Sequence, residues 1–338
     1  MFRYFERRLQ QWVQTGDFEH LRLGRASLRA RWSTPPRFHG CWSSLVLLAE
    51  SESEDAFKSP LAGGFSLDSS LSRASIRALM EALEFVAAKD AGMILPSRTG
   101  LAAHRTLKLA QSAAFQELVE RDAFLYHWLT ETPAVPCEFL FPFSSELNRE
   151  FRPQLVELES ATPVIQVFCV ASVHPELKCW MIGLGAGPNR EVAERKAWLE
   201  WLASVYRHRE VRGCPPVPES DGPRRWISVH HEESKNVEVS ALCTKILRPS
   251  FDAISSPDGQ VKRDGSALFE QSRFIQLPSR NSHYAVVLAK NSELLPLYFG
   301  PEYFGAREEY LRNPRLRNLD LRRLEYHQND KFLPHPFD

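Results

Sequence analysis

Three sets of glutamates stand at spacings that could gather oxygen ligands around a cation. The longest run lies within Thr106 to Trp128, TLKLAQSAAFQELVERDAFLYHW. Residues three and four apart share one face of a helix, so Glu117, Glu120 and Arg121 project together, beside Ala113, Ala114 and Phe124. Charges set among alanines and an aromatic point inward, where carboxylates persist only if paired, hydrogen-bonded or bound to metal. The pattern recurs twice. Glu81 and Glu84 share a face with Ala78, Phe85 and Ala88, and Glu200 shares one with Lys196, Ala197, Ala203 and Ser204. The plainer alternative makes these glutamates buried salt-bridge formers with Arg77, Arg121, Lys196 and Arg207.

The chain that must position them has 338 residues, 43% of them hydrophobic, enough core for one large domain or two modest ones. Its 42 basic and 42 acidic residues cancel, which argues against nucleic acid or an anionic membrane surface as a partner. Six cysteines (Cys41, Cys137, Cys169, Cys179, Cys214 and Cys243) follow neither a CxxC nor a zinc-ligand spacing, as expected of a reduced protein. The first 18 residues, MFRYFERRLQQWVQTGDF, have no apolar core of signal-peptide length, and no later run approaches a membrane span. A cytoplasmic protein is expected.

Periodicity and turn residues predict the order of elements. Residues 1–20 read as an amphipathic helix with Phe2, Phe5, Leu9 and Trp12 on one side, and 22–31 as a solvated basic strand or helix edge. Residues 41–49 suit a buried strand, with loop after it as far as Ser66. The first acidic helix covers 72–88, residues 100–103 lead into the central helix, 132–145 is a loop, and 148–158 a helix. Two strands at 163–173 and 177–184 are joined by a turn at His174-Pro175, and the second runs into a glycine loop at 183–187. That loop has neither GxGxxG nor the Lys-Ser/Thr of a P-loop. The third acidic helix spans 190–208, and the proline-rich stretch 209–224 is the clearest break. Strand-like segments follow at 226–246 and 273–288, interrupted by a polar stretch at 255–265. The end, Pro334-His335-Pro336-Phe337, must be extended.

Four segments, in order, resemble the YcaO family. Gly100-Leu101-Ala102 with Thr106, followed by Glu117-Leu118-Val119-Glu120-Arg121-Asp122, is similar to G-L-A-x-G-x-T and E-x-x-E-R-D. Ala78 to Glu84 resembles A-L-x-E-x-x-E-R; Gly185 to Glu200 resembles G-x-G-A then A-x-x-R-A-x-x-E; Leu294 to Gly300 resembles L-x-P-L-x-F-G. The resemblance implies an α/β, YcaO-like fold with mixed sheets and three acidic helices around an ATP-binding cavity. The four segments cover roughly residues 60–210 and 285–338, and the expected division is an N-terminal helix and extension over 1–45 followed by a YcaO-like domain over 46–338 with a proline-ended tail. The implied activity is ATP- and Mg2+-dependent cyclodehydration, in which backbone amides of a ribosomal precursor peptide are phosphorylated and Cys, Ser or Thr residues become azolines. By motif position Glu81, Glu84, Glu117, Glu120 and Glu200 would hold the metal, and Arg121, Arg105 and Lys196 would face the nucleotide. Pro334 and Pro336 would belong to a tail that points back towards the active site. A separate leader-peptide-binding or E1-like partner is expected, and a homodimer is among the expected assemblies.

Several positions depart from the family pattern. The region before the first acidic helix, Leu61 to Ser66, has no lysine between its glycines; His104-Arg105 replaces Gly-Asn, and Leu109 replaces a glutamate. Phe85 and Lys196 stand where the family has arginine, and Ala203 where it has glutamine. These departures keep open a non-catalytic homologue acting as scaffold or peptide-docking subunit. A thioamide- or amidine-forming enzyme is the further alternative.

Overall fold

A computed structural model describes residues 21–22, 29–33, 37–50, 61–93, 99–140, 145–211, 237–248, 264–279, 284–295, 310 and 312–316. The chain divides into two compact units, one of Met1–Leu95, Gly100–Ala114 and Phe274–Ala289, the other of Pro96–Thr99, Phe115–Arg273 and Lys290–Asp338. The expected helix over 1–20, the proline-rich stretch beyond residue 211, and Pro334 and Pro336 lie outside the described residues. Among the described residues no helix is long and apolar enough to cross a membrane.

In the first unit, β1 (Leu21–Arg22), β2 (Arg29–Ser33), β3 (Trp42–Ala49) and β4 (Ala62–Asp68) form an antiparallel sheet in that order. Position 45, the end of the expected N-terminal extension, falls within β3, which pairs with β2. Helix α1 (Leu71–Asp90) packs on β3 and β4. Its buried residues, among them Leu71, Ala74, Ala78, Leu79, Ala82, Leu83 and Val86, recur every three or four positions. Gly92, at φ +66°, ends the helix and donates its N–H to Lys89 O. Residues 51–60 of the expected loop lie outside the described residues, and its end, residues 62–66, is in fact part of β4. Its glycines serve packing rather than turning, since a Cβ on Gly64 would lie 2.0 Å from the carbonyl oxygen of Ala78. A second sheet has the order β10-β11-β5, with β5 at Leu101–His104, β10 at Arg273–Leu277 and β11 at Ala285–Lys290. Residues 100–103 are thus largely strand rather than a simple lead-in. Val46, Leu48, Leu79, Leu83, Val86, Val286 and Leu288 share the core. Helix α2 (Leu107–Thr130) begins in this unit and continues in the next.

The second unit repeats this construction. β6 (Val135–Cys137), β7 (Gln154–Leu158), β8 (Gln166–Val173) and β9 (Trp180–Gly187) form an antiparallel sheet in chain order. Helix α3 (Ser145–Phe151) lies between β6 and β7, and α4 (Arg190–Val211) packs on β8 and β9. Gly183 is to Ala197 as Gly64 is to Ala78: an added Cβ on Gly183 would meet Ala197 O at 2.2 Å. The expected glycine loop is therefore strand, pressed against a helix at van der Waals distance. Trp201 Nε1 donates to Ser172 Oγ at 3.0 Å and ties α4 to β8.

Two further expectations change. The helix expected over 148–158 stops at Phe151, because Arg152 (φ 47°) precedes a proline, and Gln154–Leu158 is β7. Of the strand-like segment expected over 226–246, the described part is helix α5 (Val237–Leu247), whose Cys243, Ile246 and Leu247 are buried at helical spacing. A short helix, α6 (Gly265–Gln271), is capped by Asp264, whose carboxylate accepts from Ser266 N–H.

Candidate active site

Strands at the end of a sheet leave a row of N–H groups without ladder partners, and here the acidic helices supply acceptors for them. In the first unit Phe65 pairs in register with Leu45, yet its N–H points to the open edge of β4 and donates to Glu81 Oε2 at 2.9 Å. The next glutamate on α1, Glu84, accepts from Ala103 N–H of β5 through Oε1 at 2.7 Å. Both carboxylates are half-buried.

In the second unit the open edge of β9 is treated alike. Leu184 N–H donates to Glu200 Oε2 at 2.7 Å and Ala186 N–H to Glu120 Oε2 at 2.9 Å. Two residues apart on a strand, those N–H groups point the same way, which brings α2 and α4 carboxylates side by side. Glu81 and Glu200 each lie 16 residues after the strand residue they bind. Arg121 Nη2 stands between the second pair, 3.5 Å from Glu200 Oε1 and 3.8 Å from Glu120 Oε1. Glu120 is 8% exposed, and burial pushes its carboxyl above the usual range; Arg121 opposes this most, and Glu200 adds to it. Burial weakens the Arg121 guanidinium, but Glu200, Glu120 and Glu117 outweigh it and hold the group more firmly charged. Lys196 Nζ donates to Gln116 Oε1 at 3.2 Å.

The plain salt-bridge alternative thus accounts for Arg121, whereas Arg77 stands 3.6 Å from Asp68. Arg105 is exposed just before α2, on a cavity of about 690 Å3 lined also by Thr106, Gln276 and Tyr284. Thr106 Oγ1 accepts from Leu109 N–H at 3.3 Å, and Leu109 itself is 37% exposed. Among the described residues no three His, Cys, Asp or Glu side chains group as a metal centre. Glu81 and Glu84 belong to one unit and Glu117, Glu120 and Glu200 to the other.

Sequence reasoning missed several polar residues buried behind this edge. Asp122, wholly buried, accepts from Leu295 N–H at 2.9 Å and pairs with Arg315. The E-R-D run pointed at Asp122, but nothing in the basic C-terminal stretch marked Arg315. His127 accepts from Glu159 N–H at Nε2 (2.8 Å), which leaves Nδ1–H to donate to Thr132 O at 2.7 Å. Burial lowers its pKa from 6.5 to about 4. The unfolded chain takes a proton at His127 below about pH 6.5 while the folded one resists it, so stability is lost as pH falls from about 6.5 to about 4. The loss approaches about 3 kcal/mol. Urea melts of wild type and His127→Gln should show a shallower pH dependence in the variant across that window; parallel profiles would remove His127 as the cause.

A family model described as YcaO cyclodehydratase, ATP- and Mg2+-binding, matches residues 85–263. The chain belongs to the YcaO family. Solved structures agree on the fold. YcaO from Methanopyrus kandleri bound with AMPPCP and Mg2+ superposes with a TM-score of 0.55 at 15% identity, over 87% of this chain and 91% of that one. The E. coli microcin synthetase McbBCD complex gives 0.56 at 12%, over 82% and 91%. A heterocyclase in complex with substrate and cofactor gives 0.55 at 15%, over 85% of this chain and 52% of that one. No curated protein matches the chain by sequence.

The donors of this YcaO protein suit the family's cofactor. Magnesium takes hard oxygen ligands, usually one or two carboxylates completed by phosphate oxygens and water. Glu120 and Glu200 present such a pair at one strand edge, each with its Oε2 on an N–H, and Glu120 is raised chiefly by burial, with repulsion from Glu200 adding to it. A cation would relieve that repulsion.

Proposed function

We propose that this YcaO protein is an ATP-dependent cyclodehydratase acting on a ribosomal precursor peptide. The observation that carries the proposal is the pairing of Glu120 with Glu200 at the edge of β9, with Arg121 between them. In this account Glu120 and Glu200 would hold Mg2+, with Glu117 assigned to the same role by motif position. Arg121 would meet a phosphate oxygen with its planar fork, and Lys196 would add charge from α4. By motif position Glu81 and Glu84 on α1 are assigned to metal and Arg105, exposed just before α2, to nucleotide. Bound ATP with Mg2+ supplies the phosphoryl group that makes an amide oxygen a leaving group, after attack by the neighbouring Cys, Ser or Thr side chain, so that an azoline closes. Strand N–H groups that fix the carboxylates beforehand remove the need to reorganise them during the reaction.

The tail carrying Pro334 and Pro336 is assigned to ordering the peptide end of the site. A leader-binding or E1-like partner presents the precursor, in keeping with the comparison synthetase having been solved as a multi-protein complex. A homodimer is compatible with this scheme, and the cytoplasm, where ATP and nascent peptides meet, is its natural setting.

One observation favours a scaffold instead. Leu109 is exposed where the resemblance calls for a glutamate. Incubating protein, candidate precursor, partner and Mg·ATP decides between them. Phosphate release with loss of one water per ring, located by fragmentation at a Cys, Ser or Thr residue, supports cyclodehydration; exchange of an amide oxygen for sulfur, or a modification that fragmentation places on an amine-linked amide, would move the assignment to the thioamide- or amidine-forming branch. An unmodified peptide that still binds the protein would favour the scaffold.

A further inference from the structure

We infer that Arg315 is a positioning residue for the nucleotide site, acting through Asp122 on the helix that carries Glu120 and Arg121. The inference rests on the ATP-site assignment above. At about 100° per residue, Glu120 and Asp122 lie about 160° apart around α2, on nearly opposite sides. Glu120 is fixed to the β9 edge by Ala186 N–H. Asp122 is fixed on the other side by Leu295 N–H at Oδ1 (2.9 Å) and by an ion pair from Oδ2 to Arg315 Nη1. Helix α2 is therefore held on two sides through two of its own buried carboxylates, and its rotation sets where Glu120 and Arg121 point.

Arg315 is built to hold its end of the clamp. Its side chain is 8% exposed, Nη2 donates to Glu159 O at 2.8 Å, and its guanidinium carbon lies 4.5 Å from the ring centre of Tyr126, one turn along α2 from Asp122. Asn313 Oδ1 accepts from Arg315 N–H at 2.9 Å, and Asn313 Nδ2 donates to Ser292 O at 3.3 Å, close to Leu295 in the chain. Asp122 thus joins two C-terminal stretches to the acidic helix. A lysine at 315 would keep the charge but could not serve Asp122 and Glu159 O together through a planar fork.

Two experiments test the clamp. In the wild-type protein, Mg2+ with a non-hydrolysable ATP analogue should slow hydrogen exchange at the Leu295 amide by about fivefold or more, because coupled sites respond reciprocally. An unchanged rate in protein that calorimetry shows to be saturated would overturn the coupling alone. Failure of the wild type to bind nucleotide would overturn the ATP-site assignment and the coupling with it. The double variant Asp122→Asn/Arg315→Met removes both buried charges together and avoids stranding one. It should melt as a folded protein but bind the analogue about tenfold more weakly, with Arg315→Lys intermediate. A double variant that binds nucleotide as tightly as wild type reduces the pair to a structural one and rejects the inference.

Discussion

Glu120→Gln is expected to leave the protein folded and to lower ATP turnover by about a thousandfold, about 4 kcal/mol in the activation barrier. The substitution separates two roles that alanine would confuse. Glutamine keeps a side-chain oxygen to accept the Ala186 N–H, which Glu120 binds at 2.9 Å, so the strand edge stays satisfied. What is lost is the negative charge, which magnesium needs and the hydrogen bond does not. Arg121 retains Glu200 at 3.5 Å, so its charge is not stranded. Phosphate release measured beside a thermal melt checks both halves. Turnover within a few-fold of wild type would show Glu120 to be a strand latch only.

A second large effect falls on stability and distinguishes neighbouring glycines. Gly64→Ala should destabilise the protein by about 3 kcal/mol or more, because its Cβ would lie 2.0 Å from Ala78 O and 2.9 Å from Ala82 N, both helix backbone. Gly63→Ala should cost less than about 1 kcal/mol, since its nearest neighbour is Leu47 Cδ2 at 3.3 Å, the end of a mobile side chain. The Gly64 clash can be relieved only by moving α1 off β4, which carries Glu81 away from Phe65 N–H. Folded Gly64→Ala protein should therefore also lose activity. Chemical denaturation of both variants tests the contrast; equal costs would mean that the helix does not press on β4 at Gly64.

The contrast also explains what the sequence could reveal. Helices α1, α2 and α4 were legible because small and apolar residues recur at helical spacing, and the same spacing located the glutamates on their faces. β4 and the end of β9 were not, because glycine ordinarily signals a turn, and only the partner helix shows why Gly64, Gly183 and Gly185 belong in strands. The signal that could have found them is the matched spacing from glycine to alanine to glutamate in Gly64-Ala78-Glu81 and Gly183-Ala197-Glu200. β7 was hidden because Gln154–Leu158 can be read at either period, and only the Arg152-Pro153 step separates it from α3. The strand N–H groups on the glutamates and the Asp122–Arg315 pair join residues far apart in the chain, which local pattern does not reach.

The most direct measurement is a calorimetric titration of the wild-type protein with a non-hydrolysable ATP analogue, with and without Mg2+. The account predicts saturable binding with Mg2+ that weakens at least about tenfold, about 1.4 kcal/mol, when Mg2+ is withdrawn. Absence of binding by folded protein, or binding indifferent to Mg2+, would contradict it.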